Sequence, residues 1–189
     1  MQASYRITRA RARDLRLQPA IGLSAVELFV GYVPDSIPHE ATSDHTFREA
    51  QSHGLLWVAL ADDAPVGFAH VELLEPDVAH LEELDVHPDH GRRGLGRQLV
   101  MAACEWAAIS GFEAVTLTTF RDVPWNMPFY AGIGFEEIPM RALSPALVAL
   151  VQREARRGLD PLLRVVMRRR SAPRSRALSV TALAIASKE

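Results

Sequence analysis

Cysteine is almost absent from this 189-residue chain, and long apolar runs are missing altogether. The single cysteine, Cys104, cannot form an internal disulfide and leaves no cysteine pair for a structural zinc site. No stretch approaches the roughly 18 unbroken apolar residues of a membrane span. Arginines interrupt the segment from Met1 to Arg16, which therefore lacks the apolar run of a signal peptide. We expect a soluble, cytoplasmic protein.

An excess of charge of one sign is also missing. The chain has 21 Lys and Arg against 23 Asp and Glu, a formal net charge of -2, so no overall basic field favours nucleic acid or an anionic membrane. Hydrophobic residues make up 48% of the chain, enough for one globular domain of this length. We expect a small-molecule or peptide partner, and no nucleic acid, membrane or metal.

Hydrophobic periodicity and turn residues predict a mixed α/β domain over about residues 1–170, followed by a disordered tail over 171–189. The strands are expected at Tyr5–Ile7, Leu55–Ala61, Val66–Leu74, Ala79–Val86, Val115–Phe120, Phe135–Ile138 and Leu162–Met167. The helices are expected at Leu15–Phe29, His45–Ser52, Leu95–Ser110 and Ser144–Arg157, with a short helix or turn at Pro124–Ile133.

The most informative stretch runs from the strand that ends at Val86, through a glycine-rich turn, into the helix that begins at Leu95. Glycines 91, 94 and 96 let the backbone curl, so that N–H groups and the helix N-terminus converge on an anion. Arg92, Arg93 and Arg97 add positive charge close by, which favours a pyrophosphate. The spacing matches neither a P-loop nor a dinucleotide fingerprint, since Leu99 stands where the latter has its third glycine.

The same stretch resembles the acetyl-CoA-binding motif of the GNAT (GCN5-related) N-acetyltransferases, usually Gln/Arg-x-x-Gly-x-Gly/Ala. Gly91 stands at the first motif position, and Arg92 is a neighbouring substitute for the usual side chain. The resemblance implies acetyl-CoA as cosubstrate, with the pyrophosphate on the turn and the pantetheine arm on the preceding strand. The positions expected to contact it are Leu84, Asp85, Val86, Gly91, Arg92, Arg93, Gly94, Leu95, Gly96, Arg97 and Asn126.

A second segment, Asn126 to Phe135, is similar to the Phe-Tyr-x-x-x-Gly-Phe segment of that family. The two motifs stand in the family's order, although Val123 occupies a position where many relatives have Asn. The resemblance implies the GNAT fold, with a central, mixed and mostly antiparallel sheet of six to seven strands flanked by four to five helices. It also implies direct transfer of an acetyl group to a primary amine in a ternary complex.

Three residues are candidates for the proton transfers that this reaction needs. The resemblance places Tyr130 beside the CoA sulfur, where a phenol could protonate the departing thiolate. His80 and Glu82 are the candidate bases, because strict alternation along the strand puts them on one face with Leu84, while Glu83 and Asp85 share the other face with Leu81. Glu83 remains an alternative carboxylate, and Tyr130 as a packed core residue remains an alternative to the acid.

The amine acceptor has no recognisable motif in the sequence. Its site is expected around residues 25–50, 120–127 and 139–160, where Arg153, Arg156 and Arg157 alternate with Glu154 as a solvated face. The alternative function is a non-catalytic acyl-CoA sensor or regulatory module, although retention of Tyr130 argues against it. A homodimer is compatible with the resemblance, and Cys104 is expected to be a packed residue.

Overall fold

The chain forms one seven-stranded sheet with helices on both faces in a computed structural model that describes residues 3–33 and 42–171. The strands in chain order are β1 (Tyr5–Arg9), β2 (Leu56–Ala61), β3 (Ala64–Glu75), β4 (Val78–Val86), β5 (Ala114–Phe120), β6 (Glu136–Glu137) and β7 (Arg164–Arg170). Their order in the sheet is β1-β2-β3-β4-β5-β7-β6. Every neighbouring pair is antiparallel except β4 with β5, so the sheet is mixed and mostly antiparallel, as predicted.

The α-helices of the described ranges are α1 (Gln18–Val26), α2 (Asp44–Ser52), α3 (Leu95–Ser110), α4 (Met127–Ala131) and α5 (Pro145–Arg156). One face of the sheet packs against α3 and α4, through buried residues such as Leu99 and Val71. The opposite face packs against α1 and α2, where Phe47 meets Phe68, and against α5, where Leu150 meets Val166. The sheet is therefore the middle layer of three.

The sequence locates α3 correctly because its signals are local. Leu95, Leu99 and Ala103 recur at helical spacing and are all buried. Gly111 ends the helix with a φ of 93°, a left-handed conformation that glycine adopts without steric cost. Cys104, expected to be a packed residue, is also buried.

The first helical region differs from the single helix expected over Leu15–Phe29. A 3-10 segment at Ala12–Leu17 precedes α1, and a second one at Glu27–Phe29 follows it. Asp14 does not cap an α-helix: its carboxylate accepts hydrogen bonds from the Arg11 backbone N–H at 2.8 Å and the Arg11 guanidinium at 2.9 Å. Pro19 then falls in the first turn of α1, where its missing N–H leaves no helical bond unmade.

The tail expected to be disordered lies, from residue 172 onward, outside the described residues. Within the ranges that are described, no helix is long and apolar enough to cross a bilayer.

Candidate active site

The two central parallel strands separate at the middle of the sheet. Ladder pairing between β4 and β5 runs only from Val78 opposite Ala114 to Leu81 opposite Leu117. From Glu83 to Val86, β4 remains paired with β3 alone. The backbone groups on the β5 side of this half of β4 are thus available to a ligand.

Close pairing of β3 with β4 on the other side of this opening depends on Gly67. A Cβ atom at Gly67 would lie 2.8 Å from the Asp85 carbonyl oxygen and 3.0 Å from Val86 Cγ2, closer than such atoms approach one another. Gly67 therefore allows β3 to pair closely with β4 in the stretch where β5 no longer pairs with it.

The glycine-rich turn lies at the end of this opening. After a 3-10 turn at Pro88–His90, Arg92 has a φ of 56° and Gly94, the N-cap of α3, a φ of 77°. These left-handed residues bend the chain so that α3 begins directly beyond the end of β4. The first N–H groups of α3 have no intrahelical partners and, with the helix dipole, form an anion site.

A cleft of about 660 Å³ joins the turn, the end of β4 and α4. Its lining includes ten of the eleven positions at which cosubstrate contacts are expected, namely Leu84, Asp85, Val86, Gly91, Arg92, Gly94, Leu95, Gly96, Arg97 and Asn126. Arg93 does not line it, because its guanidinium carbon lies 5.7 Å from the centre of the Tyr5 ring. The sequence motif thus gathers around one cavity, with Arg92 and Arg97 as its lining cations.

One wall of the cleft is apolar, and its residues are not among the predicted cosubstrate contacts. Ala25, Leu28 and Phe29 reach it from α1 and the turn that follows. Trp125 lines the cleft beside Phe29, with ring centres 6.3 Å apart, and also packs on Tyr32 at 4.5 Å. Trp125 therefore both lines the cavity and packs on other aromatic rings.

A β-bulge in β4 changes which of its side chains face the layer of α1, α2 and α5. His70 of β3 pairs with Glu83 and Val71 pairs with Leu81, so Glu82 is an extra residue. The predicted alternation is wrong beyond this point. Leu84 faces α3, 3.9 Å from where a Cβ on Gly96 would lie, whereas Asp85 approaches Gly22 of α1. His80, Glu82, Glu83 and Asp85 consequently all face the layer of α1, α2 and α5.

Glu82 is the carboxylate in this group with the most direct access to a pocket. Its side chain is 23% exposed, and its Oε2 lies 3.7 Å from His80 Nε2 and 3.8 Å from the Arg153 guanidinium. Burial, together with the charge of Glu72, raises the pKa of Glu82 to about 7, against the opposing charge of Arg153. A carboxylate of this kind is half ionised near neutrality and can accept a proton there.

His80 is fully buried and chemically different from Glu82. Its Nδ1 lies 2.9 Å from Thr116 Oγ1, while its Nε2 has no hydrogen-bond partner among the described residues. Burial, with the charges of Arg153 and Arg164, lowers the pKa of His80 to about 3. The imidazole is therefore neutral at physiological pH and a weak base.

Glu83 and Asp85 form a carboxyl pair beneath α1. Glu83 Oε1 and Asp85 Oδ2 lie 3.6 Å and 3.4 Å from the position of a Cβ on Gly22, and Glu83 Oε2 accepts a 2.5 Å hydrogen bond from Thr42. Burial and the neighbouring Glu83 raise the pKa of Asp85 well above its ordinary value, and burial raises that of Glu83. The two groups therefore retain a shared proton more readily than isolated carboxylates do.

Tyr130 reaches the cleft from α4, on the side of the sheet that carries α3. Its ring packs on Phe129 and Phe135, with centres 4.9 Å and 5.8 Å away. Burial and the charge of Asp85 raise the pKa of Tyr130 above its ordinary value. The phenol keeps its proton at neutral pH and is available as a donor inside the cleft.

A second pocket, of about 310 Å³, opens on the other face of the sheet beside Glu82. Its lining consists of Thr42, Ser43, Thr46, His70, Glu72, Glu82, Arg153 and Arg157. The sequence predicts acceptor recognition in the regions that contribute Thr42 and Arg153, but it does not predict that these residues line one pocket with Glu82. That arrangement depends on α2 and α5 packing on the same face.

The arginine-rich helix α5 is not the uniformly solvated face expected from its sequence. Glu154 is buried, and its Oε1 accepts hydrogen bonds from Thr118 at 2.6 Å and from Arg164 at 2.9 Å. Arg164 comes from β7, ten positions beyond Glu154. Arg153, on the exposed side of α5, contacts Glu72 at 3.3 Å. The periodicity of α5 alone therefore does not predict the buried ion pair of Glu154 with Arg164.

The sequence model of the Acetyltransferase (GNAT) family matches residues 23–135, which is more than half of the chain and runs from the second half of α1 to the end of the Tyr130 segment. This chain belongs to the GNAT acetyltransferase family. The resemblance found in its two motifs is thereby confirmed.

Solved GNAT structures share the fold. The chain is similar to the PaiA N-acetyltransferase from Thermoplasma acidophilum, solved in complex with coenzyme A, with a TM-score of 0.69 and 15% identity over 88% of this chain and 99% of that one. It is also similar to N-acetylglutamate synthase from Neisseria gonorrhoeae, complexed with coenzyme A and N-acetyl-glutamate, with a TM-score of 0.63 and 16% identity over 91% of this chain and 36% of that one. The GNAT fold expected from the motifs is confirmed.

Among curated proteins, a GNAT relative is N-acetyltransferase family 8 member 3 of Mus musculus, 30% identical over 105 residues. The match covers 52% of this chain and 46% of that protein, so the chain spans about half the length of this relative.

Proposed function

We propose that this protein is an acetyl-CoA-dependent N-acetyltransferase that moves an acetyl group directly to a primary amine in a ternary complex. The observation that carries the proposal is the opening between β4 and β5 beyond Leu81, which lies between the anion-binding turn and the pair Glu82 and Tyr130. A pantetheine arm in this opening would bring a thioester between a base on one face of the sheet and a proton donor on the other. Acetyl-CoA supplies the acetyl group already activated as a thioester.

The cleft residues fit the parts of acetyl-CoA. The N–H groups around Gly94 and the start of α3, with Arg92 and Arg97, would hold the pyrophosphate. The unpaired backbone edge of Leu84 to Val86 would bond the amides of the pantetheine arm, as an added strand does. Asn126 lines the same cavity at the N-terminus of α4.

Glu82 is the proposed general base. It lies in a pocket, it faces the side of the sheet opposite α3, and its pKa of about 7 lets it take a proton from an ammonium group at neutral pH, directly or through water. His80 is better suited to positioning, because its pKa of about 3 makes it a weak base and its buried ring lies 3.7 Å from Glu82. Glu83 is committed to its contacts with Thr42 and Asp85.

Tyr130 is the proposed donor to the departing sulfur. Its raised pKa keeps the hydroxyl protonated, so it can donate a hydrogen bond to sulfur as negative charge develops there. The same raised pKa favours this bond over complete proton transfer to the sulfur before the transition state. The hydrogen-bond donor lies on the α4 side of the sheet and Glu82 on the opposite side, so the sulfur and the amine are served by separate groups.

A non-catalytic acyl-CoA sensor would need the cleft but not the second pocket or the proton-transfer groups. The joint presence of Glu82, with its raised pKa, and Tyr130 favours catalysis over sensing.

The proposal is tested by calorimetric titration of acetyl-CoA and by mass-spectrometric detection of acetylated products from a library of amines. Gly94→Asp introduces a negative charge at the turn, and Gly111→Asp introduces the same charge at the opposite end of α3, where φ is also left-handed. We expect Gly94→Asp to abolish acetyl-CoA binding and Gly111→Asp to retain it, because only Gly94 lies at the anion site. Failure of the unaltered protein to bind acetyl-CoA would refute the acetyltransferase, and binding without any acetylated amine would favour the sensor.

A further inference from the structure

The second pocket combines residues of β3 and β4 with two segments that approach the sheet from the face opposite α3. Thr42, Ser43 and Thr46 surround the N-terminus of α2, and Arg153 and Arg157 come from the end of α5. Its volume of about 310 Å³ is at the small end of the roughly 300–1,000 Å³ of ligand cavities, which favours a compact compound.

One cation of the pocket, Arg157, has no carboxylate within ion-pair distance among the described residues. Arg153 is paired with Glu72 at 3.3 Å and with Glu82 at 3.8 Å. His70 is buried, and that burial lowers its pKa, so it adds no positive charge at neutral pH. Arg157 is exposed at the C-terminus of α5. Burial raises the pKa of Glu83, and the charge of Arg157 opposes this rise. No ion pair with a described residue fixes the guanidinium of Arg157, which is therefore available to bind an anion.

The N-terminus of α2 adds neutral donors on the same side of the pocket. Ser43 caps the helix by accepting a hydrogen bond from the Thr46 N–H at 3.2 Å, and its hydroxyl lies 2.9 Å from the Thr46 hydroxyl. Hydroxyl groups of this kind can rotate to donate to an incoming carboxylate. The positive end of the α2 dipole lies at the same place and favours an anion.

Glu82 also lines the pocket, and its carboxylate suits a group of the opposite charge, such as an ammonium. It is adjacent in the strand to the stretch that lines the cleft, with Leu84 only two residues, or about 7 Å, further along β4. An amine beside Glu82 is thus close to the opening between β4 and β5. The pocket therefore contains one group that suits an amine and others that suit an anion.

We infer that the acceptor is a small molecule carrying a carboxylate as well as its primary amine, with Arg157 binding the carboxylate and Glu82 facing the amine. This inference rests on the acetyltransferase function proposed above and names its substrate class. A free amino acid and a short peptide with an acidic residue share this chemistry, and the two are separate arms of the test.

The test compares acceptors that differ only in the carboxylate: amino acids against their carboxamides, and acidic dipeptides against the matching amide dipeptides. Initial rates are measured with saturating acetyl-CoA for the unaltered protein, Arg157→Ala and Arg157→Glu. Arg156→Ala is the matched control, because Arg156 is also exposed in the last turn of α5 but does not line the pocket. Both alanine variants lose one cation at the end of the same helix.

We expect kcat/KM to favour the acid over its amide, and Arg157→Ala to reduce that preference by about ten- to hundredfold, the usual effect of a charge-assisted hydrogen bond. Arg157→Glu is expected to reverse the preference, and Arg156→Ala to leave it unchanged. Because an acid and its amide differ in the pKa of the amine, the effect is measured as a ratio between variants, in which that difference cancels. The arm with the higher kcat/KM identifies the free amino acid or the peptide as the source.

An equal loss in Arg156→Ala, or a preference that Arg157→Ala leaves intact, would overturn the inference while acetylation itself persists. Calorimetric titration of the same acids into the CoA-loaded protein supplies a readout independent of turnover. Selective binding that Arg157→Ala removes would support the pocket even if no acetylated product forms, a result that would count against the catalytic proposal alone. Absence of both selective binding and selective turnover would overturn the inference.

Discussion

At the scale of single residues, burial divides the two candidate bases. Glu82 and His80 are two positions apart on β4, and both are largely removed from solvent. This desolvation disfavours the charged form of each side chain. For the glutamate this raises the pKa to about 7, and for the histidine it lowers the pKa to about 3. The pKa of Glu82 is therefore moved towards neutral pH, where the carboxylate can act as a base. The pKa of His80 is moved away from neutral pH.

We predict that Glu82→Gln lowers kcat by about 10²- to 10⁴-fold, the usual contribution of a general base. In the unaltered protein the rate should rise with pH through about 7, because Glu82 acts only when it is ionised. That rise should disappear in Glu82→Gln and leave only the titration of the amine substrate. A pH–rate profile of kcat for both proteins measures this.

The matched control is Glu72→Gln, which removes the other carboxylate that contacts Arg153. It should keep a rise of the rate with pH, shifted to lower pH because the charge of Glu72 is one cause of the raised pKa of Glu82. If Glu82→Gln kept that rise and His80→Asn removed it, the assignment of the base would be wrong.

At the scale of elements, the central feature is the part of β4 that is supported by β3 but not by β5. Gly67 allows the close approach there, and an added Cβ would lie 2.8 Å from the Asp85 carbonyl oxygen. We predict that Gly67→Ala lowers the free energy of unfolding by about 1–3 kcal/mol, the range for overpacking. Urea unfolding followed by far-UV circular dichroism measures the change.

Gly96→Ala serves as the comparison for this prediction. A Cβ at Gly96 would lie 3.7 Å from Phe129, an ordinary contact, and alanine favours the helix. We therefore expect Gly96→Ala to be neutral or stabilising without ligand. Equal losses in the two variants would show that the pairing of β3 with β4 is not the tight point of the sheet.

Elements whose signals are local could be predicted from the sequence. The bounds of α3 follow from its apolar spacing and from Gly111, and α2 begins one residue before the predicted His45 and ends at the predicted Ser52. The bulge at Glu82 could not be predicted, because it arises from pairing with His70 and Val71 of another strand. The inserted residue reverses the alternation, so Glu83 and Asp85 share the face of Glu82.

Side-chain partners within the site follow the same division. The glycine turn was predicted because the residues that bind are contiguous. Arg93 contacts Tyr5 of β1 instead of the cleft, a result of long-range packing. Likewise, Glu154 pairs with Arg164 across 10 positions, and the amphipathic pattern of α5 does not show it.

At the scale of the whole molecule, buried titratable groups make stability depend on pH in opposite directions. The raised pKa of Glu82 means that its contribution is fully present below 4.5 and is lost as pH rises through about 7. The lowered pKa of His80 means that its contribution is present above 6.5 and is lost as pH falls through about 3. Between 4.5 and 6.5 the two oppose each other.

We predict that the Tm of Glu82→Gln relative to the unaltered protein rises between pH 5 and pH 8, because the unaltered protein must ionise a half-buried carboxyl over this range and the amide need not. His80→Asn should show the opposite trend, gaining relative Tm as pH falls below 6.5. Differential scanning calorimetry at several pH values measures both. A flat difference for Glu82→Gln would indicate that its carboxyl is better solvated than the structure shows.

The burial of Cys104 has a practical consequence for enzymology. It is the only cysteine in the sequence, its residue is 2% exposed, and burial raises the pKa of its thiol, so it is both inaccessible and un-ionised in the folded protein. A colorimetric reagent for thiols added to a running reaction would therefore report the CoA released, with almost no background from the folded enzyme. Turnover can be followed continuously in this way at high enzyme concentration, even for an acceptor that is acetylated slowly.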